Sequence, residues 1–189
     1  MTKYYPINLV LENRKCVVIG AGRVAQRKVR RLLECGARVL VIGRVITPGL
    51  KTMADKGNVI FKRRKVSLRD LNGAYLVIAA TADRSINSLV SAYCRKKNIM
   101  VNVVDSPKEC SFILPSIIRR GDLTISISTG GISPALAKKI RQDLEKAFGS
   151  EYAALLGIMK KIRPLALKKM KSAKDRKKFL KGILNNAGI

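Results

Sequence analysis

Lys15-Cys16-Val17-Val18-Ile19-Gly20-Ala21-Gly22-Arg23-Val24-Ala25-Gln26-Arg27-Lys28 is the stretch on which the reading of the fold turns. It opens with a β-rich run, reaches a glycine, and continues to Glu34 with Val24, Ala25, Val29, Leu32 and Leu33 at helical spacing. The hinge between them has the form G-x-G-x-x-A. Gly20 permits a tight turn, Gly22 lets the backbone approach a pyrophosphate, and Ala25 allows the helix to pack closely on its sheet. The N-terminus of the same helix aims N–H groups at that place. A glycine pattern at the first strand-to-helix turn points to dinucleotide binding. The plain alternative is a tight turn without a ligand.

Gly36 stops the helix, and Arg38–Ile42 reads as a second strand. Further strands are expected at Val59–Lys62, Tyr75–Ala79 and Met100–Val104, with a helix over Ser85–Lys96. Continuous apolar strands joined by helices imply an α/β fold, a Rossmann-like parallel sheet covered on both faces. After Asp105 the pattern changes. Ser111–Ile118 is apolar but broken by Pro115, Leu123–Ser128 looks like a strand, and Ser133-Pro134 opens a helix running to about Phe148. From Glu151 the chain reads as all helix, a small basic subdomain. The expected division is residues 1–112, 113–149 and 150–189.

The 189 residues are 47% apolar, which excludes a disordered chain. No apolar run approaches the roughly 20 residues that span a bilayer, and Met1-Thr2-Lys3-Tyr4-Tyr5-Pro6 lacks the core of a signal peptide, so a cytoplasmic protein is expected. Cys16, Cys35, Cys94 and Cys110 form no C-x-x-C pair and are read as reduced thiols. The absence of histidine removes the usual general base and the commonest metal ligand. Proton transfer falls to carboxylates, and no metal site is expected. The formal charge of +27 attracts polyanions, whether nucleic acid, anionic lipid or a small polycarboxylate. Residues 1–150 hold 28 Lys/Arg against 10 Asp/Glu, and residues 151–189 hold 11 against 2.

Three further places carry candidate chemistry. NAD enzymes of this architecture usually end the second strand in a carboxylate that reads the ribose. Here the sequence is Gly43-Arg44-Val45, compatible with NAD held by backbone contacts or with NADP whose 2′-phosphate meets Arg44. Asp105 follows what is expected to be an inner strand, in the crevice where such sheets bind ligands. Partial burial would raise its pKa toward acid–base range; a turn or cap residue is the plain alternative. Ser126-Ile127-Ser128-Thr129-Gly130-Gly131-Ile132-Ser133-Pro134 offers small hydroxyl residues and two glycines before a helix, either an anion cradle or a structural turn.

Taken in order, several of these segments resemble the precorrin-2 dehydrogenase/sirohydrochlorin ferrochelatase family, which includes the N-terminal part of siroheme synthases. The matching segments are Tyr5-Pro6-Ile7, Val18–Lys28, Val77-Ile78-Ala79-Ala80-Thr81-Ala82-Asp83, Asn102-Val103-Val104-Asp105, Ser111-Phe112-Ile113-Leu114-Pro115 and Ser128–Ala137. They cover roughly residues 4–145; the tail matches only in character. The resemblance implies a homodimer with a dinucleotide-binding domain, a dimerisation segment and a helical C-terminal part. It implies NAD (alternatively NADP) held at Gly20, Ala21, Gly22, Arg23, Val24, Arg44, Val45 and Thr81, and Asp105 as the catalytic carboxylate. The implied activity is oxidation of precorrin-2 to sirohydrochlorin, with ferrochelation as a second activity of bifunctional members. Some members carry a phosphorylated serine where this chain has Thr129. An acidic tetrapyrrole gives the charge a purpose, and Arg119, Arg120, Thr129, Lys138 and Arg141 are the candidates to hold it. Neither nucleic acid nor membrane is expected as a partner. The reading from another class is a basic dinucleotide-sensing or nucleic-acid-binding protein, against which stand the 5% aromatic content and the lack of tryptophan.

Overall fold

In the computed structural model, residues 3–186 are described. Residues 1–2 and 187–189, at the ends of the first and last expected divisions, lie outside the described residues. The apolar runs become strands β1 (Lys15–Ile19), β2 (Arg38–Ile42), β3 (Val59–Lys62), β4 (Leu76–Ala79) and β5 (Met100–Val103). All neighbours pair in parallel, in the order β3-β2-β1-β4-β5. Helices α1 (Arg23–Glu34), α2 (Pro48–Asp55) and α3 (Arg84–Lys96) make three of the four crossovers, and the connection from β3 to β4 passes through a short 3-10 turn at Leu68–Leu71. Successive strand residues face opposite ways, so Cys16 and Val18 join one core with Ala25, Val29 and Leu32, whereas Val17 and Ile19 join another with Val90 and Cys94. That two-sided burial is why these strands read as continuous apolar runs.

The helix ends follow local chemistry. Gly36 (φ +73°) ends α1, and the Asp83 carboxylate caps α3 by accepting from the N–H groups of Ser85 and Ile86. Helix α2 is an addition to the expected elements. It starts where the Thr47 hydroxyl accepts from Leu50 N–H and Pro48 fills the first turn.

One expectation is corrected. β5 is an edge strand of the sheet, not an inner one. Its outer side is covered by the returning chain: Ser111 N–H donates to the Val101 carbonyl (2.8 Å), and Asn102 Nδ2 donates to the Phe112 carbonyl (3.1 Å). Val101 and Val103 are therefore buried, and the strand reads as apolar as a central one.

The chain separates into two compact units, the first ending at Ile113 and the second beginning at Leu114. The second unit starts with an antiparallel ribbon, β6 (Ser116–Arg120) and β7 (Leu123–Ile127). Pro115 delimits β6 rather than breaking it. Three helices follow: α4 (Pro134–Ala147), α5 (Glu151–Lys169) and α6 (Ala173–Asn186). Ser133 caps α4 as expected, accepting from Leu136 N–H at 3.2 Å.

Candidate cofactor and active site

Gly20 adopts φ +102°, and a Cβ there would meet the Ala80 carbonyl oxygen at 2.3 Å. The turn after β1 is thus pressed against the chain leaving β4, and glycine is required at this position. Gly22 is the opposite case. A Cβ there would have no heavy atom within 4 Å, and no side chain caps the first N–H groups of α1. An open face above uncapped N–H groups suits a pyrophosphate. Ala25 is fully buried, which seats α1 on the sheet. Thr47 N–H donates to the Ala21 carbonyl (3.1 Å) and the Thr47 hydroxyl donates to Gln26 Oε1 (2.6 Å), so the loop after β2 is pinned to this cradle. Arg23, Val24, Arg44 and Val45 stand exposed around it. The chain runs from β1 outward to β2 and β3 and then crosses back to β4 on the other side of β1, which puts the cradle at the topological switch point.

Thr81 follows β4 in a tightly held loop. Its hydroxyl lies 2.8 Å from Asn87 Oδ1 and 2.9 Å from the Asp83 carbonyl, while Asn87 Nδ2 donates back to the Thr81 carbonyl at 3.0 Å. Sequence pattern alone does not single out Asn87. A lone asparagine in an amphipathic helix reads as surface, yet here it is buried and fixes the loop beside the cradle.

The strand ends are laced together. Gly20 N–H donates to the Ile42 carbonyl (2.8 Å), Ala80 N–H to Ile19 (2.7 Å) and Val104 N–H to Ala79 (2.9 Å). Gly20 and Asp105 therefore lie on the same carboxyl edge, two strand spacings apart, or about 10 Å across the sheet. The expected partial burial of Asp105 is corrected: its left-handed backbone (φ +59°) turns it off the strand end, and the residue is exposed. Lys28 on α1 lies within the electrostatic reach of Asp105 and Cys110. Its own burial, then Arg27 and Arg31, hold its pKa below the usual lysine value.

The second unit does not gather its candidates. Adjacent strand residues Arg119 and Arg120 point to opposite faces of the ribbon. Arg120 Nε donates to the Phe148 carbonyl (2.9 Å) and Nη2 to the Glu145 carbonyl (3.3 Å), so its guanidinium closes the end of α4. Arg141 pairs with Glu145. The Thr129 hydroxyl accepts from Ser133 N–H (3.1 Å) and donates to the Ser133 carbonyl (3.0 Å), which makes Ser126–Pro134 a stapled turn. Lys138 is exposed.

The four cysteines are free thiols. Burial pushes Cys16 and Cys94 up to about 11, which makes them unreactive near neutral pH. No group of three His, Cys, Asp or Glu side chains able to hold a metal ion occurs among the described residues.

Fold and cradle together define a dinucleotide-binding α/β protein. Residues 7–116 match the family model described as putative NAD(P)-binding, and residues 120–147 match a second, described as sirohaem biosynthesis protein central. The chain belongs to this NAD(P)-binding family, as the resemblance of its motifs implied. It is 36% identical over 182 residues to siroheme synthase 1 of Aeromonas salmonicida, an alignment covering 96% of this chain and 39% of that protein. It is 35% identical over 185 residues to the siroheme synthase of Nitrosococcus oceani, covering 98% and 40%. The chain thus spans about two-fifths of the length of these curated relatives. A solved structure titled SirC, precorrin-2 dehydrogenase, superposes with a TM-score of 0.82 at 28% identity, covering 95% of this chain and 89% of that one.

Proposed function

We propose that this protein oxidises precorrin-2 to sirohydrochlorin with an NAD(P) cofactor, in siroheme biosynthesis. The observation that carries the reading is the shared carboxyl edge: the open glycine cradle after β1 and the Asp105 carboxylate after β5 flank one switch point. The siroheme synthase names of the relatives and the precorrin-2 dehydrogenase title of the solved structure support it.

The uncapped N–H groups at the start of α1 hold the pyrophosphate, and Gly22 leaves room for it. Thr81, held by Asn87, would line the cofactor site beside the glycine turn. When bound, the nicotinamide supplies the hydride acceptor. Of the two hydrogens the macrocycle loses, the bound cofactor would take one as hydride, and Asp105 accepts the other as a proton. Lys28, on the neighbouring helix, is a cation within electrostatic reach of that carboxylate. Cationic side chains bind the substrate carboxylates. Exposed Lys138 suits this better than Arg120 and Arg141, whose guanidinium groups tie down α4. Residues 113–149 as a dimerisation segment, residues 150–189 as a helical domain, a homodimer and a cytoplasmic location belong to the same reading.

The test is anaerobic incubation with precorrin-2 and each dinucleotide, following sirohydrochlorin absorbance, with ferrous iron added afterwards to examine chelation. Asp105→Ala abolishes dinucleotide reduction but retains dinucleotide affinity in a binding titration. Turnover at the parent rate in that variant removes Asp105 from the mechanism.

A further inference from the structure

Helix α1 meets the sheet through Ala25, Val29 and Leu32, and its two flanks face opposite sides of β1. Gln26 marks the flank toward β2, because its amide oxygen accepts from the Thr47 hydroxyl in the loop after that strand. Lys28, two residues on, lies about 160° around the helix from Gln26 and belongs to the flank toward β4 and β5. Arg31, one turn further, extends that flank, and Arg27 stands at its outer rim. Helical side chains lean toward the N-terminus of their own helix. Here that end lies at the carboxyl edge of the sheet, so the Lys28 stem is directed back toward the place where Asp105 leaves β5.

The electrostatic surroundings of Lys28 agree with this placement. Asp105 and Cys110, both from the segment after β5, act on it from one side, and Arg27 and Arg31 act on it from its own helix. Lys28 is half-buried, whereas Arg27 and Arg31 are exposed. None of the three side chains makes a hydrogen bond or ion pair among the described residues. Two other carboxylates of the loops after β4 and β5 are already engaged: Asp83 caps α3, and Glu109 accepts from the Ser88 and Ser106 hydroxyls. Three cations thus share one flank with a single carboxylate in reach, and one of them is partly desolvated. Crowding like charges in this way costs free energy that a bound anion recovers.

We propose that Lys28 and Arg31, with Arg27 beside them, form a subsite for a side-chain carboxylate of the tetrapyrrole and anchor the ring edge over Asp105. The inference rests on the proposed oxidation of precorrin-2 and places part of substrate recognition on α1, within the first unit. Arg31 offers a planar fork that can take both oxygens of a carboxylate, and Lys28 offers a point charge closer to the acid–base group.

The test follows precorrin-2 oxidation at saturating dinucleotide and, separately, titrates sirohydrochlorin into the full chain by calorimetry. Lys28→Met raises both KM for precorrin-2 and Kd for sirohydrochlorin at least about tenfold, as loss of one charge-assisted contact allows. Lys28→Arg restores most of that affinity, Lys28→Met/Arg31→Met weakens it further, and dinucleotide affinity keeps its parent value in each. Lys56→Met, at the end of α2, removes the same unit of charge and leaves KM and Kd unchanged. Parent-like KM and Kd in the double variant overturn the subsite while leaving the oxidation intact. An equal loss in Lys56→Met, or no recovery in Lys28→Arg, also overturns it, because the effect is then not a local charged contact. A parent protein that binds sirohydrochlorin through Lys28 but oxidises no precorrin-2 overturns the oxidation and keeps the subsite.

Discussion

Gly20 carries a close contact that no other residue type can make. Its positive φ and the 2.3 Å approach of a Cβ to the Ala80 carbonyl both forbid a side chain. Gly20→Ala therefore displaces the turn, and dinucleotide affinity falls by two orders of magnitude or more, about 3 kcal/mol; a titration that finds parent affinity would detach the turn from binding. The requirement was legible in the sequence because a glycine at a strand end has few other uses. Asp105 was legible as a residue but not in its setting, since sequence pattern does not report that its backbone turns left-handed into solvent. Asp70 was not legible at all. The side chain of Arg64, donating two hydrogen bonds, and then the Ser67 N–H hold its carboxyl down at about 2 despite burial. Because the folded value lies below the unfolded one, the carboxylate contributes stability above about pH 4 that is lost as pH falls toward 2. Discounted for the exposure of Arg64, the contribution is about 1 kcal/mol. Urea unfolding should show Asp70→Asn less stable than the parent at neutral pH by that amount, with the gap closing between pH 4 and pH 2. A gap that persists unchanged at pH 2 would mean the asparagine disrupts packing instead.

At the scale of elements, sequence reports burial directly and position in the sheet only indirectly. β1, β2 and β3 were readable to the residue because each is flanked by a glycine, a cap or a charge cluster. β5 looked central because the returning Ser111-Phe112 segment buries it as thoroughly as a sixth strand would. α2 escaped because it has eight residues and buries only Leu50 fully; its signal was Thr47-Pro48, an N-cap followed by proline. The loop between β4 and α3 shows the consequence for function. Asn87 holds Thr81 through its amide oxygen and nitrogen, and it does so from inside a helix. Asn87→Ala removes the amide partners of the Thr81 hydroxyl and carbonyl at a partly buried place, which costs about 1 kcal/mol. Thermal unfolding should register that loss, and dinucleotide affinity should fall with it because the loop lines the cradle. Parent affinity with lowered stability would assign Asn87 to the fold alone.

For the whole molecule the dominant quantity is charge. A net +27 is a field that no internal ion pairing cancels, because 12 carboxylates face 39 cationic side chains. Most of those cations sit on the surface, and the ion pairs Lys139–Asp143 and Lys160–Asp122 lie in solvent, where such pairs contribute little to stability. The charge is then better understood as serving encounter than fold. A polycarboxylate substrate would be drawn from solution by this field, and the attraction would be screened within about 8–10 Å at physiological ionic strength. On the proposed function, raising salt from low to molar concentration should raise KM for precorrin-2 by roughly one to two orders of magnitude while kcat changes little. The dinucleotide supplies an internal control. In the proposed site N–H groups at the start of α1 hold its pyrophosphate, and the affinity of NAD should depend on salt far less than that of the tetrapyrrole. A nucleic-acid-binding protein would behave differently, losing affinity for duplex DNA with a steep salt slope while showing no turnover. A KM insensitive to salt would separate the charge from the substrate and return it to an unassigned partner.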